Sequence, residues 1–296
     1  MEINETAVLG DRGFIEINGD EAKEFLQNII TNDVEKISEN HTLFSSIFTP
    51  QGKYLYEFFI LKIINGYLIE CEKNIVAELI KIFNFYKLRS KVNLTDVSQN
   101  YNAIIISLEK FKEISKTKSS KGFTTTYNKN LMYVDSRNEN LGTKILLSSE
   151  NIENVIKNLN LKKIDSSKYY NQSFELGIPQ INLNKLRDKI FGIENNLDEL
   201  GGIDFKKGCY IGQENTSRIK LRNKLRRRIL PIKKISGEIF ENDIIKYNGV
   251  EVGKVMIDKP YPFGLIKVVD PDIKEFTGTE LICGKSKVKI IKPKWI

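Results

Sequence analysis

The sequence predicts an α+β body followed by a small C-terminal β-barrel. At 296 residues the chain is long enough for about two domains. Over roughly the first 220 residues, strand-like and helix-like apolar patterns are mixed, as in α+β proteins. Beyond Arg226, short apolar runs are separated by glycines, prolines and an Asn-Gly pair, which is typical of a small barrel. We therefore expect one domain at residues 1–222 and a second at residues 223–296.

The elements of the body follow from the spacing of apolar residues. Residues 14–17 alternate as a strand does, and Asn18-Gly19-Asp20 starts a helix with Phe25 and Leu26 on its apolar face. Two β-branched and aromatic runs flank Asn65-Gly66, which predicts a hairpin. Residues 43–48 are another apolar run, closed by a turn signal at residues 49–52. Further strands are expected at residues 103–108, 131–134 and 144–147, helices near 75–83, 152–159 and 166–176, and an exposed loop at 112–121.

Composition excludes several function classes. Apolar residues make up 41% and charged residues 28%, which is typical of a globular chain. No apolar run reaches the roughly 18 residues of a membrane span, and the N-terminus lacks signal-peptide features, so we expect a cytoplasmic protein without membrane contact. The single histidine, His41, argues against His-based zinc sites and a Ser-His-Asp triad, and we expect no bound metal. Glycine-rich nucleotide-binding motifs are absent.

Positive charge is concentrated in one block. Residues 206–234 contain eleven lysines and arginines and one acid, Glu214, for a net charge of +10, whereas the other 267 residues sum to −2. A basic residue occupies every even position from 218 to 228, and a period of two predicts a strand with one cationic face. That face is interpreted either as a solvated edge strand or as an anion-binding surface. Aromatic residues are not interleaved, so direct nucleic-acid binding is not expected.

The three cysteines differ in their surroundings. Cys71 and Cys283 lie in apolar segments and are interpreted as inert core thiols. Cys209 lies in a polar loop, follows Lys206 and Lys207, and has glycines beside it. Cationic neighbours favour a thiolate, so Cys209 is the candidate reactive thiol, although one cysteine cannot hold a zinc ion or an iron–sulfur cluster by itself.

Residues 207–214, Lys-Gly-Cys-Tyr-Ile-Gly-Gln-Glu, resemble the Lys-Gly-Cys-(Tyr/Phe)-x-Gly-Gln-Glu signature of the YgfZ family of folate-binding proteins. That family is related to the aminomethyltransferase (T-protein) of the glycine cleavage system. Five other segments are similar to family elements: residues 19–27, 31–34, 49–53, 175–179 and 196–198. The motif positions are Lys207, Gly208, Cys209, Tyr210, Gly212, Gln213 and Glu214, with Arg218 following.

The resemblance implies a folate-binding, aminomethyltransferase-like body with a central hole and the C-terminal barrel. It implies that Cys209, with Lys207 as its cationic neighbour, serves the assembly or repair of iron–sulfur enzymes, including tRNA-modifying ones, which would be its partners. The cofactor would be tetrahydrofolate or a derivative. Glu175 matches the carboxylate that pairs with the pterin in the transferases, a pairing suited to two N–H donors. A monomer is expected.

The chain departs from the family pattern at two places, of which the first concerns the pterin site and the second favours an accessory protein over an authentic transferase. Ser173 stands where the pterin element usually has arginine. Tyr56 and Glu57 stand where aminomethyltransferases carry paired aspartates, and a one-residue offset on a strand places a side chain on the opposite face. A folate-dependent aminomethyltransferase-like enzyme is the alternative, and an RNA-binding module a third hypothesis. We further expect part of the basic face, including Lys220, Arg222 and Lys224, to lie beside Cys209.

Overall fold

The computed structural model describes residues 1–117, 120–222 and 225–296. The chain forms two compact units, each assembled from three segments. Unit 1 comprises Met1–Ile47, Tyr56–Tyr169 and Leu200–Ile211; unit 2 comprises Phe48–Leu55, Tyr170–Glu199 and Gly212–Ile296. Both units are therefore discontinuous in sequence.

Two sheets form the frame of unit 1. The first, in the order β11-β1-β7-β10-β9-β8, contains β1 (Glu5–Leu9), β7 (Asn102–Ile106), β8 (Thr124–Tyr127), β9 (Asn130–Val134), β10 (Thr143–Leu147) and β11 (Lys162–Lys163). The second, in the order β3-β4-β5-β2-β6, contains β2 (Arg12–Asn18), β3 (Leu43–Phe48), β4 (Tyr54–Ile63), β5 (Gly66–Glu72) and β6 (Asn93–Asp96). The antiparallel pairing of β4 with β5 confirms the hairpin predicted around Asn65-Gly66.

Four helices cover these sheets, and a fifth contains the point at which the chain passes from unit 1 to unit 2. They are α1 (Ala22–Ile29), α2 (Val76–Lys87), α3 (Leu108–Ser115), α4 (Ile152–Asn158) and α5 (Ser166–Glu175). The loop predicted at residues 112–121 is wrong in its first part, because α3 continues to Ser115. The Ser107 side chain accepts a hydrogen bond from the Lys110 backbone N–H, and Phe111 is buried, so a capped helix with an apolar anchor forms there.

Charged side chains lie between the two sheets of unit 1. The Glu70 carboxylate on β5 accepts hydrogen bonds from Arg12 Nε at 2.8 Å, Lys144 Nζ at 2.6 Å and the Tyr133 hydroxyl. Burial alone would raise the pKa of Glu70, but the positive charges of Lys144 and Arg12 outweigh it and lower that pKa to about 2. The two sheets are thus joined by a paired, buried ionic network.

The C-terminal part of unit 2 is a closed barrel. Its strands, in the order β12-β15-β14-β13-β16-β17, are β12 (Arg227–Ser236), β13 (Ile244–Tyr247), β14 (Val250–Ile257), β15 (Phe263–Lys267), β16 (Leu281–Cys283) and β17 (Ser286–Ile290). Its interior is apolar and includes Leu230, Val255 and Ile266. Two helices complete the unit, α6 (Gln213–Leu221) and α7 (Ile273–Phe276). The predicted small barrel is confirmed.

The strand predicted at residues 218–228 is wrong. Residues up to Leu221 belong to α6, and β12 begins only at Arg227. Residues two apart on a helix point about 200° apart, so Lys220 lies on the side of α6 opposite to Arg218. Lys224 lies outside the described residues. The expected placement of this segment beside Cys209 stays a prediction.

Candidate functional site

The signature segment crosses from unit 1 to unit 2 between Ile211 and Gly212. In unit 1, Lys207 is buried and its ammonium donates to three backbone carbonyls: Gln27 at 2.7 Å, Ile30 at 2.7 Å and Asn32 at 3.0 Å. These carbonyls belong to the C-terminal end of α1 and the residues after it, where carbonyls lack helical partners. Three bonds use all three ammonium donors, so Lys207 ties the signature loop to the end of α1.

The loop after α1 is bound to the residues before the signature. The Thr31 hydroxyl donates to the Gly202 carbonyl at 2.6 Å, and the Asn32 amide donates to the Gly201 carbonyl at 2.7 Å. The Asp204 N–H donates to the Thr31 carbonyl at 3.0 Å. Within unit 1 the structure therefore brings together two segments, residues 31–34 and the signature, that the sequence relates only through the family resemblance.

The environment of the Lys207 ammonium is buried and largely made of carbonyls. Burial lowers the pKa of Lys207 to about 8, while the charges of Asp33 and Asp204 oppose the shift. Its Nζ also lies 5.1 Å from the centre of the Tyr210 ring, a cation–π distance. Tyr210 itself is buried, and desolvation raises the pKa of its hydroxyl. The ammonium contacts carbonyls and a ring and so holds the loop, and its predicted service as the cationic neighbour of the Cys209 thiol stays a prediction.

Cys209 lies in the tethered loop and is exposed. The other two cysteines are buried. Burial raises the pKa of the Cys71 thiol to about 12 and that of the Cys283 thiol to about 11. A thiol buried in this way resists forming the nucleophilic thiolate, whereas Cys209 is accessible to a partner. A Cβ built on Gly208 would meet no heavy atom within 4 Å apart from its chain neighbours, so there is space beside the residue that precedes Cys209.

The second half of the signature packs in unit 2 against the turn at residues 49–52. Gly212 has φ +82°, and a Cβ there would lie 2.5 Å from the Thr49 carbonyl oxygen and 2.9 Å from Phe48 Cβ. The position therefore requires glycine both for its left-handed backbone and for space. The Asn215 amide donates to the Gln51 carbonyl at 2.9 Å, which fixes the start of α6 on the turn.

The remaining motif residues begin α6. Gln213 is its first residue, and Glu214 pairs with Arg218 at 2.6 Å, one helical turn later. Both side chains of this pair are exposed, so its contribution to stability is small. Thr216, by contrast, is buried and donates to the Gly212 carbonyl at 3.1 Å. Asn215 and Thr216 were missed by sequence reasoning, and their polar side chains just after a glycine are a signal of a helix start.

Glu175 is exposed at the C-terminal end of α5, in unit 2. Its carboxylate accepts a hydrogen bond from the Asn171 amide at 3.3 Å. Ser173 is buried: its hydroxyl donates to the Ile178 carbonyl at 2.7 Å and accepts from the Gln180 amide at 2.8 Å. The serine thus closes the turn after α5, while the Glu175 carboxylate faces solvent.

Tyr56 and Glu57 are buried on β4. The Tyr56 carbonyl accepts a hydrogen bond from the Ser46 hydroxyl at 2.7 Å. Glu57 lies 3.8 Å from the guanidinium of Arg137, which also pairs with Asp135 at 2.8 Å. The negative charge of Asp135 raises the pKa of Arg137 against the effect of burial, so this cation stays charged and neutralises the carboxylates beside it.

In residues 1–117, 120–222 and 225–296, no group of three or more His, Cys, Asp or Glu side chains is arranged to hold a metal ion. None of the helices described is both long and apolar enough to span a bilayer.

Proteins similar to this chain share one name. No protein-family model matches it. A Neurospora crassa protein is 28% identical over 283 residues, which is 93% of this chain and 61% of that protein. A Pyricularia oryzae protein is 30% identical over 228 residues, 75% of this chain and 56% of that protein. Both are named iron–sulfur cluster assembly factor IBA57 homolog, mitochondrial. The chain spans less than two-thirds of the length of these relatives.

A solved structure shares the fold. The glycine cleavage system aminomethyltransferase T from Bartonella henselae matches with a TM-score of 0.76, covering 99% of this chain and 86% of that one. Sequence identity is 12%, so the match concerns the fold alone. It confirms the predicted aminomethyltransferase-like α+β fold with a C-terminal barrel. The similarity to that aminomethyltransferase and to the IBA57 homologues agrees with the relationship expected from the signature.

Proposed function

We propose that this chain is a YgfZ-family accessory protein for the assembly or repair of iron–sulfur enzymes, including tRNA-modifying ones, and that Cys209 is its functional thiol. One observation carries the proposal. An exposed cysteine lies in a loop held by Lys207, in a chain whose relatives are named as iron–sulfur cluster assembly factors. We place its action in a reducing compartment, the cytoplasm, although the relatives' names are mitochondrial.

The chemistry of a single thiol limits what this site does. Iron–sulfur clusters are held by several thiolates, and Cys209 supplies one ligand. A cluster in contact with Cys209 is therefore cargo, held at the same time by a client protein. Because the side chain is exposed and Gly208 leaves its surroundings open, a client can approach the sulfur directly.

Tetrahydrofolate is the proposed cofactor, with Glu175 as the pterin acceptor. The Glu175 carboxylate is suited to a pterin, because it is exposed and a pterin ring presents two N–H donors to one carboxylate. Glu175 accepts one hydrogen bond from a neutral amide, Asn171, which a pterin can replace. We expect Glu175→Ala to weaken tetrahydrofolate binding by about 1.5–3 kcal/mol, measured by calorimetry. A change of less than about twofold in affinity would place Glu175 outside the folate site.

The thiol is tested in cells. A deletion strain is complemented with the wild type, Cys209→Ser or Cys283→Ser, and aconitase-type and radical-SAM tRNA-modifying activities are measured. We expect Cys209→Ser to lose both activities and Cys283→Ser to retain them at equal protein level. Iodoacetamide should label Cys209 before the buried Cys71 and Cys283, because the latter two thiols are protonated and enclosed. Full complementation by Cys209→Ser would exclude a role for this thiol.

The fold match also favours a second candidate, a folate-dependent aminomethyltransferase-like enzyme. Against it stands the ion pair of Glu57 with the guanidinium of Arg137, 3.8 Å away, which already engages the carboxylate nearest to the paired-aspartate positions. A glycine-cleavage assay with purified carrier protein separates the two. Turnover that depends on Glu57 would support the enzyme, and absence of turnover with intact folate binding supports the accessory role.

A further inference from the structure

Unit 2 contains an open groove of about 620 Å³ that the proposed function does not use. Its walls come from α6, from the start of β12 and from the end of β15 with the residues after it. A groove of this volume is in the range that binds a ligand of drug size or a short peptide segment. All of its lining residues belong to unit 2.

The charged part of the groove's lining is mostly cationic. Four basic side chains line the groove, against two acids, Glu194 and Asp270: the basic residues are Arg218, Arg226, Arg227 and Lys267. Glu194 is already paired with Arg227 at 2.9 Å. In the described part of the chain, neither Arg226 nor Lys267 has a carboxylate within ion-pair distance. Two cations are thus left to attract an anion.

Part of the groove's lining is apolar. Phe191, Ile219, Leu225 and Val269 contribute to that part, and Val269 is 60% exposed. Apolar surface beside uncompensated cations fits a ligand that carries both carboxylates and aliphatic groups. Inorganic phosphate would leave the apolar side chains of the lining in water.

The groove is less suited to single-stranded nucleic acid. Single-strand binding uses aromatic rings on which bases stack. Phe191 is the one aromatic side chain in the lining, and the Lys53 ammonium lies over its ring, 4.6 Å from the centre. One face of the Phe191 ring is therefore already covered, which leaves less of it for a base to stack on.

From these observations we infer that the groove binds an acidic peptide segment of a partner protein, one in which aliphatic residues alternate with glutamate or aspartate. Arg226 and Lys267 bind the carboxylates, and Leu225 and Val269 contact the aliphatic side chains. This interaction is separate from the chemistry of Cys209 and goes beyond the function proposed above.

The test uses the full-length protein and a fluorescein-labelled peptide of glutamate with interspersed leucine. Fluorescence anisotropy gives the affinity at low and at physiological salt. We expect Arg226→Glu combined with Lys267→Glu to weaken binding by about tenfold or more, and the loss to be greater at low salt because screening is weaker there. Val269→Ser should weaken binding by several-fold with little change in its salt dependence, because it removes only apolar contact.

The control is Lys289→Glu, which reverses an exposed lysine on β17 outside the groove. It should leave the affinity within about twofold. Equal losses for this control and a groove variant would overturn the inference in favour of general charge attraction, as would a labelled poly-uridine that binds more tightly than the peptide. No binding of the peptide to the wild type would also overturn it. Because Cys209→Ser should bind the peptide normally, failure here is distinguishable from failure of the proposed function.

Discussion

The interior between the two sheets of unit 1 contains charged side chains, whereas the interior of the barrel in unit 2 is apolar. Glu70, Lys144 and Asp135 in unit 1 are fully buried, at 0% exposure. In the described residues from 225 to 296, Ser286 is the one polar side chain that is buried. Paired buried charges are often no more stabilising than apolar packing, but each becomes costly when its partner is lost. The stability of unit 1 therefore depends on each buried charge keeping its partner, and the stability of the barrel depends on close packing of its apolar side chains.

The largest expected effect is the loss of one partner in the network of unit 1. Glu70→Gln leaves Arg12 and Lys144 buried without their carboxylate, and we expect it to reduce the free energy of unfolding by about 3–5 kcal/mol. The control is Glu78→Gln, which breaks an exposed pair with Lys81 and should cost less than about 1 kcal/mol. Urea denaturation measures both. Similar losses for the two variants would show that burial of the network is not what matters.

The same network predicts a response to acid. The folded pKa of Glu70 is about 2 and its ordinary value is 4.5, so its stabilisation is present above pH 4.5. That contribution is lost as the pH falls from 4.5 towards 2. The free energy of unfolding should therefore decline over this window in the wild type, on the order of 2–3 kcal/mol. The decline should be shallower in Glu70→Gln, and identical slopes would contradict the assignment.

A neighbouring pair of lysines tests buried against exposed charge within one loop. Lys207→Met removes three hydrogen bonds at the end of α1, and we expect a loss of about 2 kcal/mol. Lys206→Met, one residue earlier and exposed, should change stability by less than about 0.5 kcal/mol. Thermal unfolding of the two variants measures the difference. Equal effects would mean that the Lys207 bonds contribute little.

The smallest effect is expected in the barrel. Ile266→Val removes one methylene group from an apolar interior and should cost about 0.5–1.5 kcal/mol. Because the core residues around it do not ionise in the acid range, this cost should be the same at neutral pH and at about pH 4, unlike that of Glu70→Gln. If the loss in free energy of unfolding caused by Ile266→Val changed with pH, the proposed difference between the two interiors would be contradicted.

The barrel was predictable because its strands and turns are indicated by residues close together in the sequence. Short apolar runs with turn residues between them mark strands directly, and Asn248-Gly249 marks the turn between β13 and β14. A strand was predicted where α6 lies, because the basic residues at even positions alternate with a period of two. Charged side chains face solvent in either structure, so their spacing says little about secondary structure. Gly212 and the Glu214–Arg218 spacing of four were the better signals of a helix.

The buried network of unit 1 was not predictable in the same way. Glu70 and Lys144 are far apart in sequence, and a charged residue within an apolar strand does not reveal its partner. Their positions inside the runs of β5 and β10 are a weak signal that burial requires compensation. The three hydrogen bonds of Lys207 were not predictable for a similar reason, because their acceptors are backbone carbonyls about 175 to 180 residues away, which no motif displays.

The chain passes between the two units five times, after Ile47, Leu55, Tyr169, Glu199 and Ile211, and this has a consequence for the timing of folding. Residues 48–55 of unit 2 are synthesised early, but the Gln51 carbonyl meets its partner Asn215 across 164 residues. At ordinary rates of translation this partner follows on the order of 10 s later. The turn at residues 49–52, against which Gly212 packs, therefore stays exposed to water until almost the whole of unit 1 has left the ribosome. Unit 2 is for this reason the slower of the two units to assemble.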